Sequence, residues 1–128
     1  MKKSLFLIIL FLFVCGCSNS SINANEFIVL NIDTDAVYKE INNKDVFIID
    51  VRESEEYMNG HIQNSYNVPL SKIEDISKLM IPFDSKIIVY CQSGNRSNQA
   101  AKYLIKNGYT KVYDMGGIIY WNYEVVKD

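Results

Sequence analysis

Two unbroken runs of apolar, largely β-branched residues constrain this chain more than any other feature. Val46-Phe47-Ile48-Ile49 ends at Asp50, and Ile87-Ile88-Val89-Tyr90, entered from Lys86, runs directly into Cys91. A strand with water on one face alternates apolar and polar side chains. A run without alternation fits a strand covered on both faces, as in a parallel sheet packed between helices. Around these runs lie segments with helical spacing. Asp33 or Thr34 can cap a helix from Asp35 to Ile41, in which Val37 and Ile41 share a face. Ser54 to Met58 is a short helical piece stopped by Asn59-Gly60. Ser71-Lys72-Ile73-Glu74 has the form of a capping box and predicts a helix to about Leu79. Ser97 to Lys106 carries Ala100, Ala101, Leu104 and Ile105 at helical spacing, ending at Asn107-Gly108. Phe27 to Leu30, Tyr66 to Val68 ahead of Pro69, and Lys111 to Tyr113 supply three further strands. The expected class is therefore α/β with a mostly parallel sheet. Ligands of such sheets collect beyond the carboxyl ends of the strands, where Asp50-Val51-Arg52 and Cys91 stand.

The first residues are of another kind. Lys2 and Lys3 precede an apolar run from Leu5 to Cys15, too short for the ~20 residues that span a bilayer. A positive start, a short apolar centre and a small residue before a polar stretch read as an export signal over residues 1–16. Val14-Cys15-Gly16-Cys17 resembles a bacterial lipoprotein box, which makes Cys17 the expected lipidation site and predicts a protein exported and lipid-anchored to an envelope membrane, on its periplasmic or extracytoplasmic face. Residues 17–25, polar and small from Ser18 to Asn25, read as a tether, with a folded domain over 26–128. Removing the two leader lysines leaves 11 basic against 15 acidic residues, so the formal charge moves from −2 to −4. No basic stripe is present to neutralise phosphates, which argues against a nucleic-acid partner. Of three cysteines, only Cys91 belongs to the domain, so no intrachain disulfide framework is expected there.

Cys91-Gln92-Ser93-Gly94-Asn95-Arg96-Ser97 falls between a strand and a helix. Backbone N–H groups of a tight loop can converge on one point, and the unpaired N–H groups of a helix's first turn add positive potential. Gly94 permits a positive φ. Such a setting favours the thiolate, the nucleophilic form of cysteine. The rival reading is an inert buried cysteine, but the five residues after Cys91 are all polar or glycine. Arginine usage points the same way. The chain has 13 basic residues of which only Arg52 and Arg96 are arginines, both just beyond the buried strands, where a planar guanidinium suits an anionic substrate.

Asp50-Val51-Arg52-Glu53, Glu56-Tyr57, Gly60-His61-Ile62, Asn67-Val68-Pro69, the whole of Tyr90 to Ser97, and Met115-Gly116-Gly117-Ile118 with Trp121 together resemble the single-domain rhodaneses. The resemblance covers about residues 26–127, with the motifs in family order and spacing. It implies a rhodanese-like three-layer domain, a five-stranded parallel sheet with helices on both faces. It also implies a sulfurtransferase in which Cys91 accepts sulfane sulfur as a persulfide, from thiosulfate or a polysulfide or persulfide donor, and passes it to a thiol or cyanide. On that resemblance the N–H groups of Gln92, Ser93, Gly94, Asn95, Arg96 and Ser97 cradle the outer sulfur, Arg96 faces the substrate anion, and no metal or organic cofactor takes part. Two alternatives share the fold. Phosphatases and arsenate reductases of this kind carry a cysteine-to-arginine loop one residue longer than the present four intervening residues. Non-catalytic interaction modules usually replace the cysteine. Asp50 and Arg52 are expected to tie a strand end to neighbouring loops, and His61, the lone histidine, to serve a structural turn. Glu55-Glu56 reads as a solvated helix face, and Tyr120, Trp121 and Tyr123 as an aromatic tail packed over the sheet.

Overall fold

The computed structural model describes residues 27–128; the expected signal peptide, Cys17 and the tether lie outside them. Five strands, β1 (Leu30–Asn31), β2 (Val46–Asp50), β3 (Tyr66–Asn67), β4 (Lys86–Cys91) and β5 (Lys111–Gly117), form one sheet in the order β1-β5-β4-β2-β3. Every neighbouring pair is parallel. The two unbroken apolar runs are β2 and β4, adjacent at the centre, where helices cover both faces. On one face Ile49, Val51, Ile87, Val89 and Cys91 pack against Ala100, Ala101 and Leu104 of α3 (Asn95–Lys106) and Ile73 and Ile76 of a 3-10 segment (Leu70–Leu79). On the other, Ile48, Ile88 and Tyr90 pack against Val37 of α1 (Thr34–Glu40) and Ile62. The period-2 alternation of a strand assigns these odd and even positions to opposite faces. α2 (Ser54–Met58) follows β2 directly.

Several expectations about elements are corrected. The first strand is only Leu30–Asn31, with Ile28 and Leu30 exposed, because it is an edge with a single neighbour, β5. The segment after Pro69 is a 3-10 helix rather than a capped α-helix. Its entry is pinned by the Leu70 N–H donating to Val51 O (3.0 Å), and Lys72 leaves helical geometry at φ −133°, so Ser71 does not act as a cap. A capping interaction forms instead at α2, where the Glu53 N–H donates to Glu56 Oε1 at 3.2 Å. The aromatic tail divides: Trp121 packs against the cluster of Ile48, Ile88 and Tyr90 on one face of the sheet, as expected, while Tyr123 reaches α1. Tyr123 stacks on Tyr38 with ring centroids 3.8 Å apart and donates its hydroxyl to Asp35 Oδ1 at 2.6 Å, while Tyr120 stays exposed.

β5 is longer than the sequence suggests because of a bulge. Val89 pairs with Asp114 but Tyr90 pairs with Gly116, leaving Met115 as the extra residue. Asp114 Oδ1 accepts the Gly116 N–H at 2.8 Å, and Gly116 takes a φ of +87°. The shifted register sets Gly117 beside Cys91.

Candidate active site

Cys91 is the last residue of β4, and its side chain is 1% exposed at the head of a tight turn into α3. Gln92 and Ser93 bend the chain, and Gly94 completes the turn with a φ of +113°, a conformation other residues adopt only under strain. That turn carries the Gly94 N–H back onto Cys91 Sγ at 3.0 Å. Ser97 Oγ lies 3.4 Å from the same sulfur and also donates to Gly94 O at 3.1 Å. α3 begins at Asn95, two residues earlier than the apolar spacing suggests, so Asn95, Arg96 and Ser97 supply the first-turn N–H groups that have no intrahelical acceptor. Gln92, Ser93, Gly94, Asn95, Arg96 and Ser97 thus form one continuous wrap from sulfur to helix, with the positive end of the helix dipole beside the sulfur.

The wrap is backed by the end of β5. A Cβ on Gly117 would stand 2.5 Å from Gln92 O and 2.8 Å from Ser93 Cα, so only a glycine lets the two backbones approach this closely. Gly117 itself has an ordinary extended conformation, φ −94° and ψ 137°. Close approach, not an unusual backbone angle, therefore demands glycine here. Ile119 adds a backbone bond to the same loop, its N–H donating to Gln92 O at 3.3 Å.

Arg96 projects from the first turn of α3 and meets Glu56 of α2. Its two terminal nitrogens donate to Glu56 Oε1 and Oε2 at 2.7 and 3.0 Å, in a two-pronged ion pair. Glu56 is therefore not a freely solvated carboxylate, contrary to the expectation for Glu55-Glu56. Hydrogen bonding to Arg96 holds its carboxyl below the usual carboxylate range, and the bond to Glu56 reciprocally raises the Arg96 guanidinium, with Cys91 contributing to that rise. Glu56 and Gly117 are the site residues that the sequence does not single out as such. Both act through partners distant in the chain. Their signals are their places in the motifs Glu56-Tyr57 and Gly116-Gly117 and, for Glu56, the scarcity of arginine, which suits a guanidinium with a planar acceptor.

Asp50 and Arg52 lie one layer below. Both are buried, and Arg52 Nη2 donates to Asp50 Oδ2 at 2.6 Å and to Gly60 O at 2.7 Å. Burial works against the charge on Arg52, but the bonded Asp50 more than offsets it and raises the guanidinium. Asn67 Nδ2 donates to the carbonyls of Asp50 and Arg52, tying the turn after β2 to β3. The Arg52 guanidinium lies 5.7 Å from the centroid of the Tyr90 ring, whose hydroxyl accepts the Ile62 N–H at 3.0 Å. Burial raises the pKa of that hydroxyl, which keeps it protonated and bonded with Ser65 Oγ at 3.0 Å. His61 stacks on Tyr57, its Nδ1 2.8 Å from Tyr57 O, and exchanges backbone bonds with Val126. No three side chains of metal-ligating type cluster among the described residues.

A family model described as the rhodanese-like domain matches residues 33–124. The chain belongs to the rhodanese-like family. A sulfurtransferase of Allochromatium vinosum is 36% identical over 95 residues, covering 73% of this chain and 88% of the relative. The thiosulfate sulfurtransferase PspE of Escherichia coli is 37% identical over 71 residues, covering 55% of this chain and 68% of the relative. Among solved structures, a rhodanese with anions from E. coli superposes with a TM-score of 0.61 at 34% identity, covering 65% of this chain and 99% of that one. The five-stranded parallel sheet covered on both faces is the rhodanese three-layer fold, and sulfur transfer is the chemistry of the family.

Proposed function

We propose that this protein is an exported, lipid-anchored sulfurtransferase that moves sulfane sulfur through a persulfide on Cys91. The observation that carries the chemistry is the placement of Cys91 Sγ, which receives the Gly94 N–H at 3.0 Å and sits at the start of a 12-residue helix. An added sulfur atom would carry the negative charge outward from Sγ, toward the first-turn N–H groups of α3. With thiosulfate, the Cys91 thiolate attacks the outer sulfur. A new S–S bond forms as the old one breaks, and sulfite leaves with the electron pair. The persulfide keeps one negative charge, so charge and atoms balance. Cyanide, or an acceptor thiolate, then attacks the outer sulfur and releases the Cys91 thiolate, giving thiocyanate or a new persulfide. No oxidant or reductant enters either half. The two relatives described as sulfurtransferases support the reaction class. Export and anchoring rest on the leader, with Cys17 as the modified residue.

The test is mass spectrometry of the full chain exposed to saturating thiosulfate. Cys91 is expected to gain one sulfur atom, lost again as thiocyanate when cyanide is added, while Cys91→Ser gains none. A folded protein that takes up no sulfur under these conditions refutes the reading. For the anchor, the membrane fraction is expected to contain a mature chain beginning at a lipidated Cys17, and any other N-terminus removes that part.

A further inference from the structure

The pairing of Arg96 with Glu56 bears on which sulfur donor this site prefers. Arg96 is the only charged side chain from Cys91 to Ser97, so it supplies all of the loop's formal positive charge. Both of its terminal nitrogens are already engaged by one carboxylate. That carboxylate is itself fixed: Glu56 Oε1 accepts the Glu53 N–H at 3.2 Å as well as Arg96 Nη1. A second acid, Glu53, lies close enough to add to the rise in the Arg96 pKa, and its Oε1 accepts the Ser71 hydroxyl at 3.1 Å. The other arginine gives no relief, because Arg52 is buried and occupied by Asp50. Arg96 and Glu56 are each about one-third exposed, at 32% and 34%, so an arriving anion meets both. One cation against two carboxylates leaves the mouth of the loop with a net formal charge of about −1.

We propose that Glu56 is a specificity-determining residue of the sulfur-accepting site. By occupying Arg96, it favours sulfane-sulfur donors of low charge, such as a small persulfide (uncharged as RS–SH, singly negative as RS–S⁻), over dianions such as thiosulfate. The inference rests on the sulfurtransferase reading and deepens it. With a persulfide, the Cys91 thiolate attacks the outer sulfur of RS–SH. The S–S bond of the donor breaks, its thiolate leaves and takes up the proton, and Cys91 keeps the sulfur as a persulfide anion. The first-turn N–H groups of α3 receive that single charge without the help of Arg96. A thiosulfate dianion, by contrast, must compete with a carboxylate already bonded at 2.7 and 3.0 Å and must approach it closely. Two charges meeting one carboxylate at a few ångströms in a partly screened setting correspond to about a tenfold effect on encounter and binding.

The experiment measures kcat/KM of the full chain for thiosulfate and for hydroxyethyl persulfide, with persulfide on Cys91 as the readout. Glu56→Gln is the main variant, since its amide oxygen can still accept the Glu53 N–H while the charge is gone. The ratio of thiosulfate to persulfide kcat/KM is expected to rise about tenfold, mainly through a lower KM for thiosulfate. Glu56→Asp, which keeps a carboxylate, is expected to hold the ratio near that of the unmodified chain. Glu56→Ala gives the same reading as the Gln variant should the latter lose its circular dichroism spectrum. A ratio that stays within about twofold, or that falls because Arg96 has lost its orientation, overturns the proposal. An unmodified chain that takes sulfur from neither donor ends the sulfurtransferase reading itself. Sulfur uptake with an unmoved ratio ends only this inference.

Discussion

Gly117→Ala is the smallest change that reaches the cysteine loop without touching it chemically. The new Cβ would stand 2.5 Å from Gln92 O and 2.8 Å from Ser93 Cα, where ordinary contact begins at 3.4 Å. Both opposing atoms are backbone, so no side chain can swing aside. Either the loop retreats by about 0.9 Å at Gln92 or β5 yields by as much, and β5 is held by its pairing with β4 and by the bulge bond from Gly116 to Asp114. The loop is the weaker element, since it hangs on the Gly94 bond to Cys91 and the Ile119 bond to Gln92. Overpacking of this size costs about 1–3 kcal/mol. For a domain of this length, each kcal/mol lowers Tm by about 4–8 °C. The chemical effect should be larger than the thermal one suggests, because a displacement of about 1 Å in a positioned site can cost about 100-fold in rate. The expected result is a folded variant with a melting temperature lower by about 4–24 °C and a thiosulfate-to-cyanide sulfur transfer rate reduced about 10- to 100-fold. The assays are thermal unfolding followed by circular dichroism and thiocyanate release under saturating donor. Unchanged melting and unchanged transfer together would refute the claim that this close approach positions the loop.

Two further outcomes follow from the ion pairs. Asp50→Asn leaves the Arg52 guanidinium buried with Gly60 O as its remaining strong acceptor, and breaking a buried pair from one side costs about 3–5 kcal/mol; the unfolding free energy from urea denaturation should fall by that amount, and a loss below about 1 kcal/mol would discount the pair as a fastener. The lowered Glu56 pKa predicts an acid limb. Its stabilisation is present above the ordinary carboxylate value of 4.5 and is lost as pH falls through the lower folded value, so Glu56→Gln should flatten stability against pH below about 4.5, and an identical acid limb in the variant would contradict the pairing.

The centre of this fold is legible in the sequence because its determinants are local and dense. Val46–Ile49 and Ile87–Tyr90 carry unbroken apolar side chains, and runs this short and this β-branched fit little besides strands covered on both faces. Cys91 is legible for the same reason, as a polar loop begins where the apolar run stops. The 3-10 segment is not. Ser71 and Glu74 offer a local capping pattern, but the Leu70 bond to Val51 fixes the direction of the chain before that pattern can act. The role of Glu56 is equally hidden, because a short helix says nothing about an arginine 40 positions away. Gly117 falls within a recognisable motif, yet its reason is a backbone contact with Gln92 and Ser93 that only the sheet order creates. Local regularities disclose elements, and pairings across the sheet disclose roles.

The burial of Cys91 has a consequence for how the protein endures its surroundings. A sulfur atom with 1% of its residue's surface open is out of reach of bulky disulfides and large oxidants, so the resting thiol is protected by geometry rather than by a reductant. If Cys91 carries sulfur as proposed, the outer atom lies one bond beyond Sγ, and that atom is the one an acceptor must reach. On that proposal the persulfide is the form open to attack, and its lifetime, not that of the cysteine, would set how long the protein can wait for an acceptor.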